Sequence, residues 1–314
     1  MTVGAKLFVL FTGVVAVLLL ASFIGWRLAE QPGSKSRNEM VDNLNARIRA
    51  WWAMIAIFAL SFMLGKAATL VLFAFTSFYT LREFLSLTPT KPADNLPLAA
   101  AFYLLLPLQY VLIWIDWYGL FAISIPVYGF ILAPSLAALG GEVDDFLVRI
   151  ARIQWGLMLT VYCISHAPAL LILSIPEFQG QGFLLLFFLI TVVQFSDVMQ
   201  YVFGKLFGRT KIAPSVSPSK TLEGLLGGGL SAVILGASLF WITPFSVWQA
   251  AAMAAVIVAM GFLGGLSLSA IKRSMGAKDW GSMVEGHGGV LDRMDSVCFS
   301  APVFFHLTRY FFAL

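Results

Sequence analysis

The amino-acid sequence predicts an all-α fold, a polytopic transmembrane helical bundle of about 8–10 spans. Composition is the first reason: of 314 residues, 60% are hydrophobic and only 11% charged, against roughly 45–50% and 25% in soluble domains. The mean hydropathy, +0.88, points the same way. Apolar runs close to the ~20 residues needed to cross a bilayer follow one another along the chain. Stretches such as Gly182 to Val193 are apolar on every side, whereas a membrane β-strand would alternate apolar and polar residues.

Taken in order, the apolar windows are 7–26, 50–64, 67–80, 97–114, 118–139, 156–175, 182–203, 222–242, 246–270 and 297–312. The first is too long for a signal-peptide core and has no clear small-residue cleavage site before Arg27, which predicts a retained anchor. The second and third are short and divided only by Gly65 and Lys66; a tight hairpin and one long broken helix fit equally well. Residues 31–45, polar with Pro32 and Gly33, read as a linker. No internal repeat of 20–50 residues is present. The expected organisation is an N-terminal anchor helix and polar cytoplasmic linker over 1–49, then one membrane-embedded domain over 50–314. Cys163 and Cys298 both lie in apolar runs, which suits packing rather than a disulfide framework or a paired metal site.

The formal net charge of +4 is unevenly placed. Arg27, Lys35, Arg37, Arg47, Arg49, Arg82, Lys91, Arg149, Arg152, Lys205, Arg209, Lys211, Lys220, Lys272, Arg273, Lys278 and Arg293 fall on one set of connections, while the opposite turns hold Lys66, Asp116 and Glu177. By the positive-inside rule the basic set faces the cytoplasm. Such a distribution speaks to membrane orientation, and no nucleic-acid partner is expected.

Two segments flanking the eighth and ninth spans hold most of the chemistry-bearing residues. In the first, Asp197 sits inside an apolar run, where a carboxylate is costly unless it faces a wet cavity or a cation. Downstream, Lys205, Arg209, Lys211 and Lys220 have no acid among them between Gly204 and Thr221, a balance that invites phosphate and that topology alone would also produce. The second segment mixes signs: Lys272, Arg273, Lys278 and Arg293 against Asp279, Glu285, Asp292 and Asp295. Acids that hold a divalent metal and cations that hold phosphate oxygens are what phosphoryl or nucleotidyl transfer requires. Gly288 and Gly289 lack side chains, so their N–H groups could approach a phosphate. If 291–296 is helical, Asp292 and Asp295 share a face and could bind one Mg²⁺ or a metal pair; the same acids would also suit a helix N-terminus.

The run from Ser269 to Asp295 resembles the signature of CDP-diacylglycerol synthases, or phosphatidate cytidylyltransferases: Ser-x-apolar-Lys-Arg, four residues, Lys-Asp, then His-Gly-Gly-x-x-Asp-Arg-x-Asp. Upstream, Asp197, the aromatic-Gly-Lys-x-x-Gly stretch at 203–208 and Ser217-Pro-x-Lys-Thr-x-Glu-Gly224 are similar to the same family, with a weaker echo at Leu81-Arg82-Glu83-Phe84. The resemblance covers about residues 50 to 300. It implies the reaction CTP + phosphatidate → CDP-diacylglycerol + diphosphate with Mg²⁺ as cofactor. Asp197, Asp292, Asp295 and Glu285 would then bind metal. Lys272, Arg273, Lys278, Asp279, His287 and Arg293 would be catalytic, and Lys205, Lys220, Ser217, Thr221, Gly288 and Gly289 would bind substrate. The implied setting is a bacterial inner (cytoplasmic) membrane with the site facing the cytoplasm, membrane lipid around it and a homodimer as one possible assembly. Departures stand beside the matches: Gly265 and Leu268 occupy positions where the family has acids, and Glu285 replaces a proline. A CTP-dependent polyprenol or phytol kinase, and a transporter or scaffold without catalysis, are the alternatives. Lone His166 and His306 suit packed or interfacial positions.

Overall fold

A computed structural model describes residues 2–30, 35–283 and 288–313. Its helices are α1 (Val3–Glu30), α2 (Lys35–Leu64), α3 (Lys66–Ser86), α4 (Pro92–Trp114), α5 (Tyr118–Leu139), α6 (Phe146–Ile172), α7 (Gly182–Phe207), α8 (Leu222–Ser238), α9 (Val247–Ser274) and α10 (Leu291–Phe312). Among the described residues, 8 of these are long and apolar enough to cross a membrane. The other two are α8, which has 17 residues, and α10, which carries Asp292, Arg293, Asp295 and Arg309. Every apolar window falls on a helix, and the fold is the all-α membrane bundle expected.

Two local expectations change. The polar stretch read as a linker is helical from Lys35 onward, because no Gly or Pro follows Gly33 to interrupt it. At 1.5 Å per residue, the 30 residues of α2 reach about 45 Å, longer than the ~30 Å hydrocarbon core. Between α2 and α3 the hairpin alternative holds: Gly65 adopts φ +88°, a backbone region costly for any side chain. The Thr69 hydroxyl then donates across the turn to the Ser61 carbonyl at 3.2 Å.

A second change is a small antiparallel hairpin, β1 (Lys211–Ala213) and β2 (Ser217–Thr221), with Lys211 opposite Thr221 and Ala213 opposite Ser217. It leads directly into α8, whose N-cap is Thr221; the threonine Oγ1 accepts from Gly224 N at 3.1 Å. At the other end of the bundle, α9 starts with a capping box between Ser246 and Gln249 and ends with Lys272 and Arg273 in its last turn, the sign that complements a helix C-terminus.

Glycine faces draw the four C-terminal helices together, since helices in lipid associate through close backbone packing and not through exclusion of water. A Cβ on Gly228 of α8 would overlap the Gln200 backbone of α7, and one on Gly264 of α9 would lie 2.7 Å from the Asp295 carbonyl of α10. Asp197 and Asp295 are carried on the helices these contacts position. Gly228→Val should therefore destabilise the protein by about 1–3 kcal/mol, the usual cost of overpacking, read as a lower midpoint of thermal unfolding in detergent. An alanine at exposed Gly13, where no atom lies within 4 Å of the added Cβ, should leave it unchanged.

Candidate active site

At the end of the bundle where the hairpin lies, buried polar groups form two linked clusters. The first is built on Asp292 in the first turn of α10. Its Oδ1 accepts from Lys272 Nζ at 2.5 Å, and its Oδ2 accepts from the backbone N–H groups of Trp280 (2.8 Å) and Gly289 (2.9 Å). The side chains of Lys272 and Asp292 are only 10% and 6% exposed. A pair this dry persists because both charges are matched and the carboxylate collects further donors.

Glu83, near the end of α3, completes the arrangement from outside. Its two carboxylate oxygens accept from Val290 N at 2.9 Å and Leu291 N at 2.8 Å, so a neighbouring helix supplies the anion that the N-terminus of α10 favours. Here the glycines have a different use from the one expected. The Gly289 N–H is committed to Asp292 rather than left open for phosphate, and a Cβ on Gly289 would stand 2.5 Å from Glu83 Oε2. Gly288 has φ +83°, and a Cβ there would lie 2.8 Å from Asp292 Oδ2. Both positions admit carboxylates that a side chain would displace. Phe84, next to Glu83, stacks on Trp280 with ring centroids 5.2 Å apart. Apart from the short Leu81-Arg82-Glu83-Phe84 echo, no sequence signal ties residue 83 to residues 290 and 291, more than 200 positions away.

The second cluster joins α7 to α10. Ser296 Oγ donates to Asp197 Oδ1 at 3.0 Å, and Ser296 N donates to Asp295 Oδ1 at 2.7 Å. Lys220, from β2, reaches the same space: its ammonium donates to the Phe262 carbonyl at 3.3 Å and stands 4.7 Å over the Phe262 ring. Burial lowers the Lys220 pKa, Asp295 and Asp197 oppose that, and Lys272 adds to the depression. Arg293 also acts electrostatically on Asp197 and Asp295. Lys272, felt by both Lys220 and Asp295, links the two clusters. Gly265 borders them, where an added Cβ would lie 2.8 Å from Lys220 Nζ and 3.5 Å from Asp295 Oδ2. The acid that the resemblance leads one to expect at 265 would enter this cluster; here the lysine ammonium fills the space.

Other candidates lie around these clusters. Arg273 is exposed and ties the hairpin to α9, donating to the carbonyls of Val216 (3.4 Å) and Ala277 (3.2 Å). Thr221 caps α8, and Ser217 pairs within the hairpin. Lys205 is exposed, 5.8 Å over the Tyr201 ring. Lys278 and Asp279 are exposed on the connection after α9, and a Cβ on Gly288 would lie 3.4 Å from Asp279 Cβ. Glu285 and His287 fall outside the described residues. His166 is fully buried, with Nδ1 donating to the Tyr162 carbonyl at 2.7 Å and its ring packed on Phe121 and His306, the packed role expected of it.

Among the described residues, no three His, Cys, Asp or Glu side chains converge as a preformed metal site. Asp292 is engaged by three donors. The Asp197 and Asp295 pair suits Mg²⁺, which is commonly held by one or two carboxylates with substrate phosphates completing the shell.

A helical membrane bundle in which paired acids face buried cations is the arrangement of a membrane-embedded nucleotidyltransferase. Comparison with known proteins agrees: residues 45–311 match the cytidylyltransferase family, and the chain belongs to it. It is 38% identical over 304 residues to uncharacterized protein YnbB of Escherichia coli, covering 96% of each chain. It is also 35% identical over 129 residues to the phosphatidate cytidylyltransferase of Staphylococcus aureus, and 36% identical over 129 residues to that of Staphylococcus epidermidis. Each of these matches spans 40% of this chain and half of the relative.

The clamp and the half-buried Lys220 can each be tested directly. Glu83→Ala leaves two backbone donors without their charged acceptor and should cost about 2 kcal/mol of stability, with Glu83→Gln losing less; denaturation in detergent reads both. For Lys220, the unfolded chain binds more protons than the folded one at pH values between the lowered pKa and the ordinary 10.5. Stability contributed at this position therefore rises with pH across that window. Lys220→Met should show a flatter rise than the wild type when unfolding is followed at stepped alkaline pH.

Proposed function

We propose that the chain is a phosphatidate cytidylyltransferase, transferring CMP from CTP to phosphatidate in a Mg²⁺-dependent reaction that yields CDP-diacylglycerol and diphosphate in phospholipid biosynthesis. The observation that carries this reading is the Asp197–Ser296–Asp295 bridge, two half-buried acids on a buried serine, facing Lys220 beside the Lys272–Asp292 pair. Family membership and the partial similarity to phosphatidate cytidylyltransferases support it.

The lipid phosphate is already an anionic nucleophile, so no covalent enzyme intermediate is required. One of its oxygens forms a bond to the α-phosphorus of CTP while the bond from that phosphorus to the oxygen bridging to the β-phosphorus breaks, and diphosphate leaves with the electron pair. Two obstacles dominate, repulsion between polyanions and charge growing on the leaving group. Lys220, Lys272 and Arg293 answer both by holding positive charge where the phosphates crowd, with Arg273, Lys278 and Lys205 at the outer approach. Asp197 and Asp295 would hold Mg²⁺, which when bound neutralises phosphate oxygens. Asp292, fixed by Lys272 and two N–H groups, holds that lysine in place.

Basic residues crowd this end of the bundle, and the positive-inside rule assigns it to the cytoplasm. CTP would then arrive from water while the acyl chains of the lipid stay in the bilayer.

Purified protein given phosphatidate, α-³²P-labelled CTP and Mg²⁺ should form labelled lipid and release diphosphate. Asp197→Asn and Asp295→Asn should each lower the rate by about 10²-fold or more, the scale of losing a principal electrostatic group. Release of CDP with a phosphorylated lipid alcohol would instead identify a lipid kinase. Absence of labelled lipid from well-folded protein would remove the phosphatidate cytidylyltransferase reading.

A further inference from the structure

Beside the two clusters, the end of α3, the start of α6 and the end of α9 leave a cleft of about 580 Å³, within the range that holds small ligands. Phe84, Leu147, Trp155, Ile271 and Met275 supply most of its apolar wall. Leu147 and Trp155 are 78% and 52% exposed, and both belong to a helix that meets the length and hydropathy of a membrane span. The cleft therefore opens toward lipid at the level where helices end, and a hydrocarbon chain is the solvent available to it.

Arg152 is the charged residue in that lining. Its guanidinium makes no hydrogen bond or ion pair among the described residues. Arg149, one turn earlier on the same helix, is used quite differently. It is 4% exposed, stands 3.4 Å from Asp94 Oδ1 and donates to the Glu142 carbonyl at 2.8 Å, holding α6 to the start of α4. One arginine of α6 is thus consumed by the fold, and the other faces the cleft with its planar donor fork uncommitted.

An uncommitted guanidinium at the edge of an apolar, membrane-facing cleft is complementary to a molecule with hydrocarbon at one end and an anionic phosphate at the other. We propose that this cleft binds an anionic phospholipid, with one acyl chain against Phe84, Trp155 and Ile271 and the headgroup phosphate on Arg152. The site stands apart from the carboxylate clusters and does not depend on the reaction proposed above. It is nevertheless in mechanical contact with them: Phe84 forms its inner wall and stacks on Trp280, whose N–H holds Asp292.

The full-length protein in nanodiscs, exposed to phosphatidylglycerol carrying an acyl-chain diazirine, tests the idea with a lipid that is neither substrate nor product of the proposed reaction. Label should map to peptides covering residues 146–156 and 271–275, exceeding that from the matching phosphatidylcholine probe by about fivefold, the factor one cation contributes at an anionic surface. Arg152→Gln should abolish the preference while leaving phosphatidylcholine labelling unchanged, and Ala151→Trp, which fills the cleft, should reduce both labels. Equal labelling by the two lipids in the wild type, or a preference that survives Arg152→Gln, would overturn the headgroup assignment and show a side chain that only reaches for water. Labelling of the cleft peptides that is indifferent to Ala151→Trp would overturn the site itself. Asp197→Asn should label as the wild type does, so loss of catalysis and loss of lipid binding are separately visible.

Discussion

A carboxylate on the first turn of α10 organises the end of the bundle where the chemistry gathers. Asp292 accepts one ammonium hydrogen bond from Lys272 and two backbone hydrogen bonds from Trp280 and Gly289, so α9, the connection after it and α10 meet at one group. In a dry environment each charge demands a partner, and removing either member of such a pair leaves the other buried and unmatched. That demand makes the geometry definite. Glu83 applies the same rule from α3, binding two N–H groups at the helix start and tying the N-terminal half of the chain to the C-terminal half.

The second cluster differs in kind. Asp197 and Asp295 share Ser296 as a neighbour, and Lys220 lies within electrostatic reach of both. No ion pair joins that lysine to either acid within 4 Å among the described residues, in contrast to Lys272 and Asp292. One set of charges is satisfied by the protein and holds the scaffold still; the other is less completely matched and has capacity for a cation or for phosphate. A site that handles crowded anions needs both properties, because donors aim usefully only when they need not reorganise.

Close backbone approach is what lets acids from separate helices meet. Gly228 and Gly264 allow α7 with α8, and α9 with α10, to pack without side chains between them. Gly265 continues that face onto the cluster itself, and Lys220 extends into the room it leaves. Gly288 and Gly289 serve a related purpose in the loop, admitting two carboxylates. The sequence suggested glycines that expose N–H groups to phosphate; the packed protein uses them to bring anions onto backbone donors.

The spans were legible because transfer into hydrocarbon is a local property of some 20 consecutive residues, which a window of sequence measures directly. The family was legible for a related reason, since the fixed spacing from Ser269 to Asp295 lies within one connection and its flanking helix ends. The helical start of α2 and the hairpin before α8 were not, because hydropathy says little about polar backbone outside the bilayer. Glu83 marks the clearest limit: its partners are 207 and 208 residues away. Sequence by itself therefore determined the class of fold, the order of spans and the set of residue types that suit phosphate chemistry. Which acids are consumed by internal partners, which face one another and which cation stands among them was decided only when the helices packed, because buried charge is matched through space and not along the chain.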